Sequence, residues 1–346
     1  MSIESIVQST RIVLASRPDG APTTENFRLE AVNLPELTEG QVLIRIIYLS
    51  LDPYMRGRMS AAESYAEPVE IGEVMVGGTV GQVVESRHPG FESGDYVLAY
   101  AGWQSHAVVV GDQLQKLDPA AAPLSTALGV LGMPGFTAYS GLLKIGQPKE
   151  GETVVVAAAS GPVGSAVGQI AKLKGARAVG IAGGPEKCAY LLDELGFDAA
   201  IDHRAPDFGE QLRAAVPDGI DVYFENVGGA VAAAVLPLLN EYARVPVCGL
   251  IAHYNDATAP EGPDRLPEFL SRVLVKSLTI RGFIMAEFVG EMYTDFLRDV
   301  SGWIRDGRFA YREDFVDGIE NAPTAFIGLL EGRNFGKMLV RVAEES

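Results

Sequence analysis

Residues 154–178, VVVAAASGPVGSAVGQIAKLKGARA, predict a buried strand, a glycine turn and a helix in direct succession. The apolar run that opens the stretch is typical of a strand with both faces buried in a parallel sheet. The pattern breaks at residues 160–164, and from Ser165 the apolar side chains keep to one helical face until Gly175 ends the helix. Strand, glycine turn and helix in this order form the first half of a dinucleotide-binding unit.

The turn has the glycines that a pyrophosphate requires. A pyrophosphate must approach the backbone closely, and a helix N-terminus offers it free N–H groups and partial positive charge. Gly161 and Gly164, with Pro162 and Val163 between them, supply close approach and tight packing of helix on strand. Ala159 stands where G-x-G-x-x-G would have its first glycine, so the motif is A-x-G-x-x-G. Such a short motif also occurs in α/β turns that bind no ligand.

The end of the next predicted strand favours NADP over NAD. After residues 178–182 the chain continues with Gly183 and Gly184, without the Asp or Glu that commonly holds the ribose 2′-hydroxyl of NAD. Lys187 and Arg204 follow, and a glycine-lined strand end with cations suits a 2′-phosphate. The alternative for each cation is ordinary solvated surface charge.

The composition is that of a globular protein of about two domains. The chain has 346 residues, of which 47% are hydrophobic and 21% charged. Its net charge of −17 argues against nucleic acid and anionic membranes as partners. No apolar run approaches the roughly 20 residues of a membrane span, the N-terminus lacks signal-peptide features, and Cys188 and Cys248 are too few for a disulfide framework. We therefore expect a cytoplasmic protein.

The order of the predicted elements divides the chain. Short strands without intervening helices occupy residues 12–110 and predict a small barrel or sandwich. Residues 124–143 predict a helical bridge with a break at Pro134. From residue 154 to about 284 strands and helices alternate, which predicts a doubly wound parallel sheet, and a helix follows at about 289–306.

The segment at residues 334–342 predicts one more strand. The predicted parallel sheet is complete without it, so we expect this strand to return to the first domain. The expected domains are a β-rich substrate domain at residues 1–130, with a C-terminal return at 316–346, and a dinucleotide-binding domain at residues 131–315.

The sequence offers little for metal or nucleophilic catalysis. A closed structural zinc site needs four ligands, commonly in cysteine pairs. The two cysteines lie far apart, and no ligand spacing joins any two of the histidines, which are His88, His106, His203 and His253. No G-x-S-x-G motif is present, and Ser160 is interpreted as a phosphate-side hydroxyl or a plain turn residue. We therefore predict no metal ion.

Two tyrosines follow predicted strands at places where chemistry can occur. Tyr54 lies in DPYMRGR at residues 52–58, and Tyr254 lies in GLIAHYN at residues 249–255. Ligands of open α/β sheets bind at the carboxyl ends of strands, and a phenol can donate to a carbonyl oxygen that becomes an enolate. The alternative for each tyrosine is packing. Asn226, also just past a strand, either faces the nicotinamide ribose or caps the next helix.

The chain resembles the medium-chain dehydrogenase/reductase superfamily over nearly its whole length. Within that superfamily it is similar to the zinc-free NADP-dependent branch of prostaglandin reductases (leukotriene B4 dehydrogenases), plant double-bond reductases and bacterial curcumin reductases, and it resembles the last type most. The stretches that carry the resemblance are LSLDPYMRGRMS, GVLGMPGFTAY, AAASGPVGSAVGQIAKLKGARAVGIAGG, EKCAYL, ENVGG, PVCGLIAHYN, GPDRLP and ENAPTAFIGLLEGRNFGKMLV.

The resemblance implies a fold and a reaction. The fold is a GroES-like β-rich barrel domain joined to a Rossmann doubly wound parallel-sheet domain, and the protein is a homodimer with residues 278–285 at the subunit contact. In the reaction NADPH transfers hydride to the β-carbon of an enone. Tyr254, with the nicotinamide ribose hydroxyl, holds the enolate oxygen, and Tyr54 lies at the substrate pocket.

The resemblance also implies cofactor contacts, residue by residue. Those beyond the glycine turn are Lys187, Asn226, Cys248, Gly249, Leu250, Ile251, Tyr254, Phe283, Ile284, Met285 and Asn334, and those of the turn are Gly161, Pro162, Val163 and Gly164. The family commonly has a tyrosine on the 2′-phosphate where this chain has His203, beside Arg204. Whether His203 makes that contact is open.

Several readings of the function remain open from the sequence. A quinone oxidoreductase, a zinc-dependent alcohol dehydrogenase and a non-catalytic NADPH-binding protein are alternatives to the enone reductase, because a fold does not fix a function. The substrate itself and the source of the α-carbon proton are also open. The loops at residues 54–70, which include the AAESY segment ending at Tyr65, and 254–266 are expected to shape the substrate pocket.

Overall fold

The computed structural model describes residues 7–256, 258 and 262–345. The described residues fall into two compact units, divided after Leu128 and again after Arg312. The first unit contains the parts of the chain before and after these divisions, and the second unit is Gly129–Arg312.

The regular elements of both units are numbered in chain order. The strands are β1 (Gln8–Leu14), β2 (Phe27–Asn33), β3 (Gln41–Ser50), β4 (Thr79–Ser86), β5 (Tyr96–Ala99), β6 (His106–Val110), β7 (Gln115–Leu117), β8 (Thr153–Ala157), β9 (Arg177–Ala182), β10 (Ala199–Asp202), β11 (Ile220–Phe224), β12 (Leu239–Val247), β13 (Thr279–Gly282), β14 (Glu313–Asp317) and β15 (Lys337–Arg341). The α-helices are α1 (Tyr54–Arg58), α2 (Met133–Ser140), α3 (Pro162–Leu173), α4 (Pro185–Asp193), α5 (Phe208–Ala215), α6 (Gly229–Val235), α7 (Leu266–Val275), α8 (Val289–Arg305) and α9 (Ala322–Leu330).

A largely antiparallel sheet forms the centre of the first unit. Its strands follow the order β14-β15-β3-β4-β5-β7, with β6 pairing β3, while β1 and β2 form a separate antiparallel pair. β15 pairs antiparallel with β3 through Leu339 opposite Ser50 and Arg341 opposite Tyr48. The strand near the C-terminus therefore lies in the sheet of the first unit.

A parallel six-stranded sheet forms the centre of the second unit. Its order is β10-β9-β8-β11-β12-β13, and every pairing in it is parallel. All five residues of β8 are buried, as the apolar run predicts for a central strand. The predicted doubly wound sheet is confirmed.

The order of this sheet defines where a ligand can bind. The chain proceeds from β8 to β9 and β10 on one side, and from β11 to β12 and β13 on the other. The strand order therefore reverses between β8 and β11, and open α/β sheets bind ligands at the carboxyl ends of the strands that flank such a reversal.

Two boundaries differ from the sequence prediction. The predicted break in the helical bridge lies at residues 129–132, just before Pro134. Pro134 itself lies in the first turn of α2, where its missing N–H costs no helical hydrogen bond. Helix α3 begins at Pro162 instead of Ser165 for the same reason, since Pro162 occupies its first turn. The helix predicted at about residues 289–306 is confirmed by α8. In the described part of the chain, no helix is both long and apolar enough to cross a membrane.

A buried ion pair joins β15 to the end of β3 in the first unit. The Lys337 ammonium group donates to Asp52 Oδ1 at 2.6 Å and to the Leu51 carbonyl at 2.8 Å, and both charged side chains are almost fully buried. Ser50 Oγ donates to the other carboxylate oxygen of Asp52. Burial lowers the pKa of Lys337, and the charge of Asp52 opposes that shift. The pair thus fixes the chain just before Tyr54.

We expect Lys337→Met to lower the free energy of unfolding by about 3–5 kcal/mol, because it leaves the Asp52 carboxylate buried without its partner. Urea unfolding at neutral pH measures the change. The matched control is Lys116→Met, which removes an exposed lysine paired with Asp95 at 2.7 Å and should cost at most about 1 kcal/mol. Equal losses in the two variants would contradict the stated role of the buried pair.

Candidate active site

The turn between β8 and α3 makes a very close contact between helix and strand. A Cβ atom added to Gly164 would lie 2.4 Å from the Ala158 carbonyl oxygen and 2.7 Å from Ala159 Cα, so only glycine fits there. A Cβ atom added to Gly161 would approach only the Ala158 oxygen, at 3.3 Å. Gly164 therefore packs the helix on the strand, while Gly161 leaves open space at the helix start, as a pyrophosphate requires.

The alanine in the A-x-G-x-x-G motif has a structural counterpart on the neighbouring strand. Ala159 is fully buried, and a Cβ atom added to Gly180 of β9 would lie 2.9 Å from the Ala159 methyl group. Gly180 therefore provides the room that the methyl group of Ala159 needs. The departure from G-x-G-x-x-G is thus compensated inside the sheet and leaves the turn itself unobstructed.

We expect alanine to act differently at the two glycines. Gly164→Ala should lower the free energy of unfolding by about 1–3 kcal/mol, because the added methyl group overpacks a buried contact. Gly161→Ala should leave stability unchanged, since Gly161 has φ −75° and space for a Cβ, yet weaken NADPH binding about tenfold or more by occupying the space of the pyrophosphate. Urea unfolding measures the effect on stability, and calorimetric titration with NADPH measures the effect on binding. Normal NADPH binding by Gly161→Ala would contradict the placement of the pyrophosphate beside Gly161.

Two basic side chains lie over Gly183 after β9, and a third is near one of them. A Cβ atom added to Gly183 would lie 3.0 Å from His203 Nε2 and 3.1 Å from Arg204 Nε, so both side chains lie directly over this glycine. Lys187, in the first turn of α4, is close enough to affect His203 electrostatically. Burial, followed by the charge of Arg204, lowers the pKa of His203. The structure thus brings together the candidates for a 2′-phosphate.

An acid that no sequence motif indicated lies at the same place. Asp202 ends β10, and its Oδ1 accepts hydrogen bonds from the backbone N–H groups of Gly184 and Arg204, each at 2.9 Å. These two hydrogen bonds lower the pKa of Asp202. The signal in the sequence was an acid directly before His203 and Arg204.

Side chains after β11 join the two strands at the order reversal. Asn226 Nδ2 donates to the Ala157 carbonyl at the end of β8 at 2.8 Å. The capping interpretation of Asn226 is wrong, because Gly228 is the N-cap residue of α6; a contact with the ribose stays a prediction. Glu225, which the sequence analysis did not single out, is buried, and its Oε1 accepts from the N–H groups of Val227 and Gly228 at 2.6 and 2.8 Å.

Tyr254 lies in the turn after β12, and its hydroxyl group is held near the strand end. The Leu250 N–H group donates to the Tyr254 hydroxyl oxygen at 3.4 Å, and a Cβ atom added to Gly249 would lie 2.9 Å from that oxygen. The oxygen thus accepts a backbone hydrogen bond. Tyr254 is therefore placed to stabilise negative charge on an oxygen atom.

His253 connects the Tyr254 turn to its surroundings, a role that the sequence analysis missed. The Gly229 N–H group donates to His253 Nε2 at 3.1 Å, so the other ring nitrogen, Nδ1, carries the hydrogen and donates to Asp256 at 2.8 Å. The turn from Ile251 to Tyr254 is thus fixed on both sides of the histidine. Cys248, at the start of this segment, is no nucleophile, because burial raises the pKa of its thiol to about 12.

The segment after β13 contributes packing. The Phe283 ring is buried and meets the Phe224 ring edge-on at a centroid distance of 6.1 Å, and a Cβ atom added to Gly141 would lie 2.3 Å from Phe283 Cζ. Ile284 is partly exposed, and Met285 opens the short helical turn Met285–Phe288. Cofactor contacts at residues 283–285 stay predictions.

Tyr54 begins α1 in the first unit, directly after the buried Asp52. Burial, followed by the charge of Asp52, raises the pKa of Tyr54 far above its ordinary value, so the phenol stays protonated. The Arg58 guanidinium group lies 5.9 Å from the centre of the Tyr54 ring and 4.5 Å from that of Tyr65. Asn334 Nδ2 donates to the Gly336 carbonyl at 2.7 Å, and its contact with a cofactor stays a prediction.

Two family models match the chain. The model described as "N-terminal domain of oxidoreductase" matches residues 10–117, and the model described as "Zinc-binding dehydrogenase" matches residues 162–301. Despite the second description, no group of three or more His, Cys, Asp or Glu that could hold a metal ion occurs among the described residues.

Known proteins are similar to the chain over nearly its whole length. The NADPH-dependent curcumin reductase of Escherichia coli (strain K12) is 59% identical over 336 residues, 97% of each chain. Prostaglandin reductase 1 of Bos taurus is 43% identical over 326 residues, 93% of this chain and 95% of the relative. The crystal structure of CurA from Vibrio vulnificus in complex with NADPH superposes with a TM-score of 0.95 at 57% identity, covering 97% of this chain and 100% of the other.

These matches confirm the resemblance found in the sequence, and with it the GroES-like and Rossmann fold class. The chain belongs to the medium-chain dehydrogenase/reductase superfamily, and within it to the branch of NADP(H)-dependent reductases that contains these relatives.

Proposed function

We propose that this protein reduces the C=C bond of α,β-unsaturated ketones and aldehydes, of the curcumin-like or lipid-derived kind, with NADPH as the hydride donor and without a metal ion. The observation that carries the proposal is the place of the Tyr254 hydroxyl group, which is held near the carboxyl end of β12 by a hydrogen bond from a backbone N–H. A phenol is a hydrogen-bond donor as well as an acceptor. Relatives named NADPH-dependent curcumin reductase and prostaglandin reductase 1 support the class of reaction, and CurA in complex with NADPH supports the cofactor.

The residues of the second unit fit NADPH. The open space beside Gly161 at the start of α3 suits the pyrophosphate, and the basic side chains over Gly183 suit the 2′-phosphate. When bound, NADPH supplies the hydride for the β-carbon of the enone. The chain's own part is to hold the cofactor by its phosphates and to leave the ends of β8 and β11 accessible to the nicotinamide.

Tyr254 supplies the oxyanion stabilisation. When the β-carbon gains hydride, negative charge develops on the carbonyl oxygen, and the Tyr254 hydroxyl donates a hydrogen bond to that oxygen. Because the Leu250 N–H group and the His253 contacts fix the tyrosine in advance, the donor needs no reorganisation during the reaction. A proton added at the α-carbon then completes the saturated product.

Tyr54 is proposed as a neutral hydrogen-bond donor in the substrate pocket. Its raised pKa keeps the phenol protonated at every pH at which the enzyme is assayed, so it serves as a donor and never as a general base. Tyr65, which is 62% exposed, extends the aromatic surface next to Arg58 and Tyr54. This aromatic surface fits a flat conjugated substrate.

The chemistry of the donor set supports reduction without zinc. A closed zinc site commonly uses cysteine pairs, and the chain has only Cys188 and Cys248, which lie 60 positions apart. His253 has both ring nitrogens engaged, with Gly229 and Asp256. Without a Lewis acid, polarisation of the carbonyl falls to hydroxyl donors such as Tyr254.

We expect Tyr254→Phe to lower kcat for an enone about 10²-fold, because it removes the donor to the developing oxyanion. The dissociation constant for NADPH should change little, since the ring remains. Initial rates of NADPH oxidation with chelator-treated protein and benzylideneacetone, together with calorimetric titration of NADPH, measure both quantities.

The matched control for this test is Tyr242→Phe, at a tyrosine that is 67% exposed in the same unit. It should turn over benzylideneacetone like the unaltered protein. Full activity of Tyr254→Phe, or complete loss of wild-type turnover after chelation with recovery on adding zinc, would contradict the proposed mechanism.

We also propose that the protein is a homodimer that pairs through β13 and α7. β13 is the edge strand of the parallel sheet, and edge strands offer unpaired backbone groups. α7 presents exposed apolar side chains on one face, at spacings of four: Leu266 at 58%, Leu270 at 53% and Leu274 at 79% exposure. A two-fold contact would cover both features with a second copy of the same surface.

Leu274→Lys should convert the dimer to a monomer, because it places a charge in the proposed apolar contact at its most exposed leucine. Sedimentation velocity at micromolar concentration measures the mass. Leu192→Lys, at a leucine on α4 that is 42% exposed, is the matched control and should remain dimeric. A monomeric wild-type protein, or a Leu274→Lys variant with unchanged mass, would rule out this interface.

The proposal extends to the cellular compartment. Cys188 and Cys248 are both free thiols, and free thiols persist in reducing compartments. NADPH as the electron donor fits the same setting. A cytoplasmic location is therefore proposed.

A further inference from the structure

An acid lies among the basic side chains that are proposed to bind the 2′-phosphate. Asp202 ends β10, directly before His203 and Arg204. A carboxylate so close to an anionic ligand costs binding energy by direct repulsion. For the site to bind a 2′-phosphate, another effect of Asp202 must favour binding and offset this repulsion.

The hydrogen bonds of Asp202 supply that effect. Its Oδ1 accepts from Gly184 N, in the segment between β9 and α4, and from Arg204 N, in the turn after β10. Both hydrogen bonds are 2.9 Å long and end on the same oxygen atom. One carboxylate oxygen therefore joins two separate backbone segments.

All three basic side chains depend on these two segments. Gly184 is the N-cap residue of α4 with φ 101°, and the helix that begins after it carries Lys187. The other segment carries His203 and Arg204, and it is tied to β9 by a further hydrogen bond from His203 N to the Ala182 carbonyl at 3.0 Å. The positions of His203 and Arg204 over Gly183, and that of Lys187 on α4, thus follow from backbone that Asp202 holds.

The charge of Asp202 acts in the opposite direction from its geometry. The backbone hydrogen bonds lower the pKa of Asp202, so the carboxylate is ionised at neutral pH. Its charge raises the pKa of His203, against the lowering effects of burial, Arg204 and Lys187. In the protein without cofactor, Asp202 therefore offsets the mutual repulsion of the basic groups; when the 2′-phosphate is bound, the same charge repels it.

We propose that Asp202 is a positioning residue that sets the preference for NADPH over NADH by holding Gly184 and Arg204, while its negative charge limits that preference. The proposal rests on the proposed role of Lys187, His203 and Arg204 at the 2′-phosphate. The two contributions can be separated, because asparagine keeps an amide oxygen with two acceptor positions and removes only the charge.

The test compares Asp202→Asn and Asp202→Ala in the full chain by the dissociation constants for NADPH and NADH, from calorimetric titration at one ionic strength. Asp202→Asn should bind NADPH about threefold to tenfold more tightly, because a repulsive charge is gone and both hydrogen bonds remain. Asp202→Ala should bind NADPH about tenfold or more weakly, because two hydrogen bonds to a charged acceptor outweigh one screened charge. NADH, which lacks the 2′-phosphate, should change by less than about twofold in either variant.

The matched control is Asp193→Asn, which makes the same charge change at an exposed position on α4 and should leave both dissociation constants unchanged. An unchanged ratio of NADPH to NADH affinity in Asp202→Ala, or a loss in Asp202→Asn equal to that in Asp202→Ala, overturns the proposal. If Asp202→Ala does not fold, the Asn variant decides alone: tighter NADPH binding supports the proposal, and unchanged or weaker binding overturns it.

Lys187→Ala distinguishes this inference from the proposed function. If Lys187→Ala loses the preference for NADPH and Asp202→Ala keeps it, the 2′-phosphate assignment holds and only the role of Asp202 fails. If Lys187→Ala keeps the preference as well, the basic cluster is not the 2′-phosphate site, and both proposals fail together.

Discussion

The close approach of the first turn of α3 to the end of β8 is the constraint on which the cofactor unit depends. At Gly164 a side chain would meet the Ala158 carbonyl at 2.4 Å, so the helix can lie against the strand only with glycine there. That approach points the free N–H groups of the helix at the space beyond β8. Gly180 on β9 makes room for the Ala159 methyl group in the same layer, and the sheet order then brings the end of β11 alongside.

A second feature recurs at the carboxyl edge of this sheet. Loop backbone N–H groups there are held by side-chain acceptors: Asp202 holds Gly184 and Arg204, Glu225 holds Val227 and Gly228, and His253 holds Gly229. Each acceptor fixes a segment that carries a candidate functional group. Pre-organised loops of this kind let a site present donors and cations without paying for their ordering when the ligand binds.

The sequence predicted the parts of this arrangement that follow from local patterns. Continuous apolar runs such as β8 and the alternation of strand and helix led to the doubly wound sheet, and Gly161 and Gly164 led to the dinucleotide turn. Asp202, Glu225 and His253 escaped prediction because their partners are backbone groups of other segments, which no residue pattern records. The start of α3 shows a similar limit, since a proline fits the first turn of a helix, and α3 begins at Pro162 instead of Ser165.

The central claim is that hydride reaches the β-carbon of an enone while Tyr254 holds the carbonyl oxygen. The most direct test uses NADPH deuterated at the transferred position with benzylideneacetone and chelator-treated protein, followed by NMR of the product. The expected product is a saturated ketone with deuterium at the β-carbon and none at the carbonyl carbon. An allylic alcohol with deuterium at the carbonyl carbon would contradict the claim. Hydride would then have reached the carbonyl carbon, and no enolate would have formed.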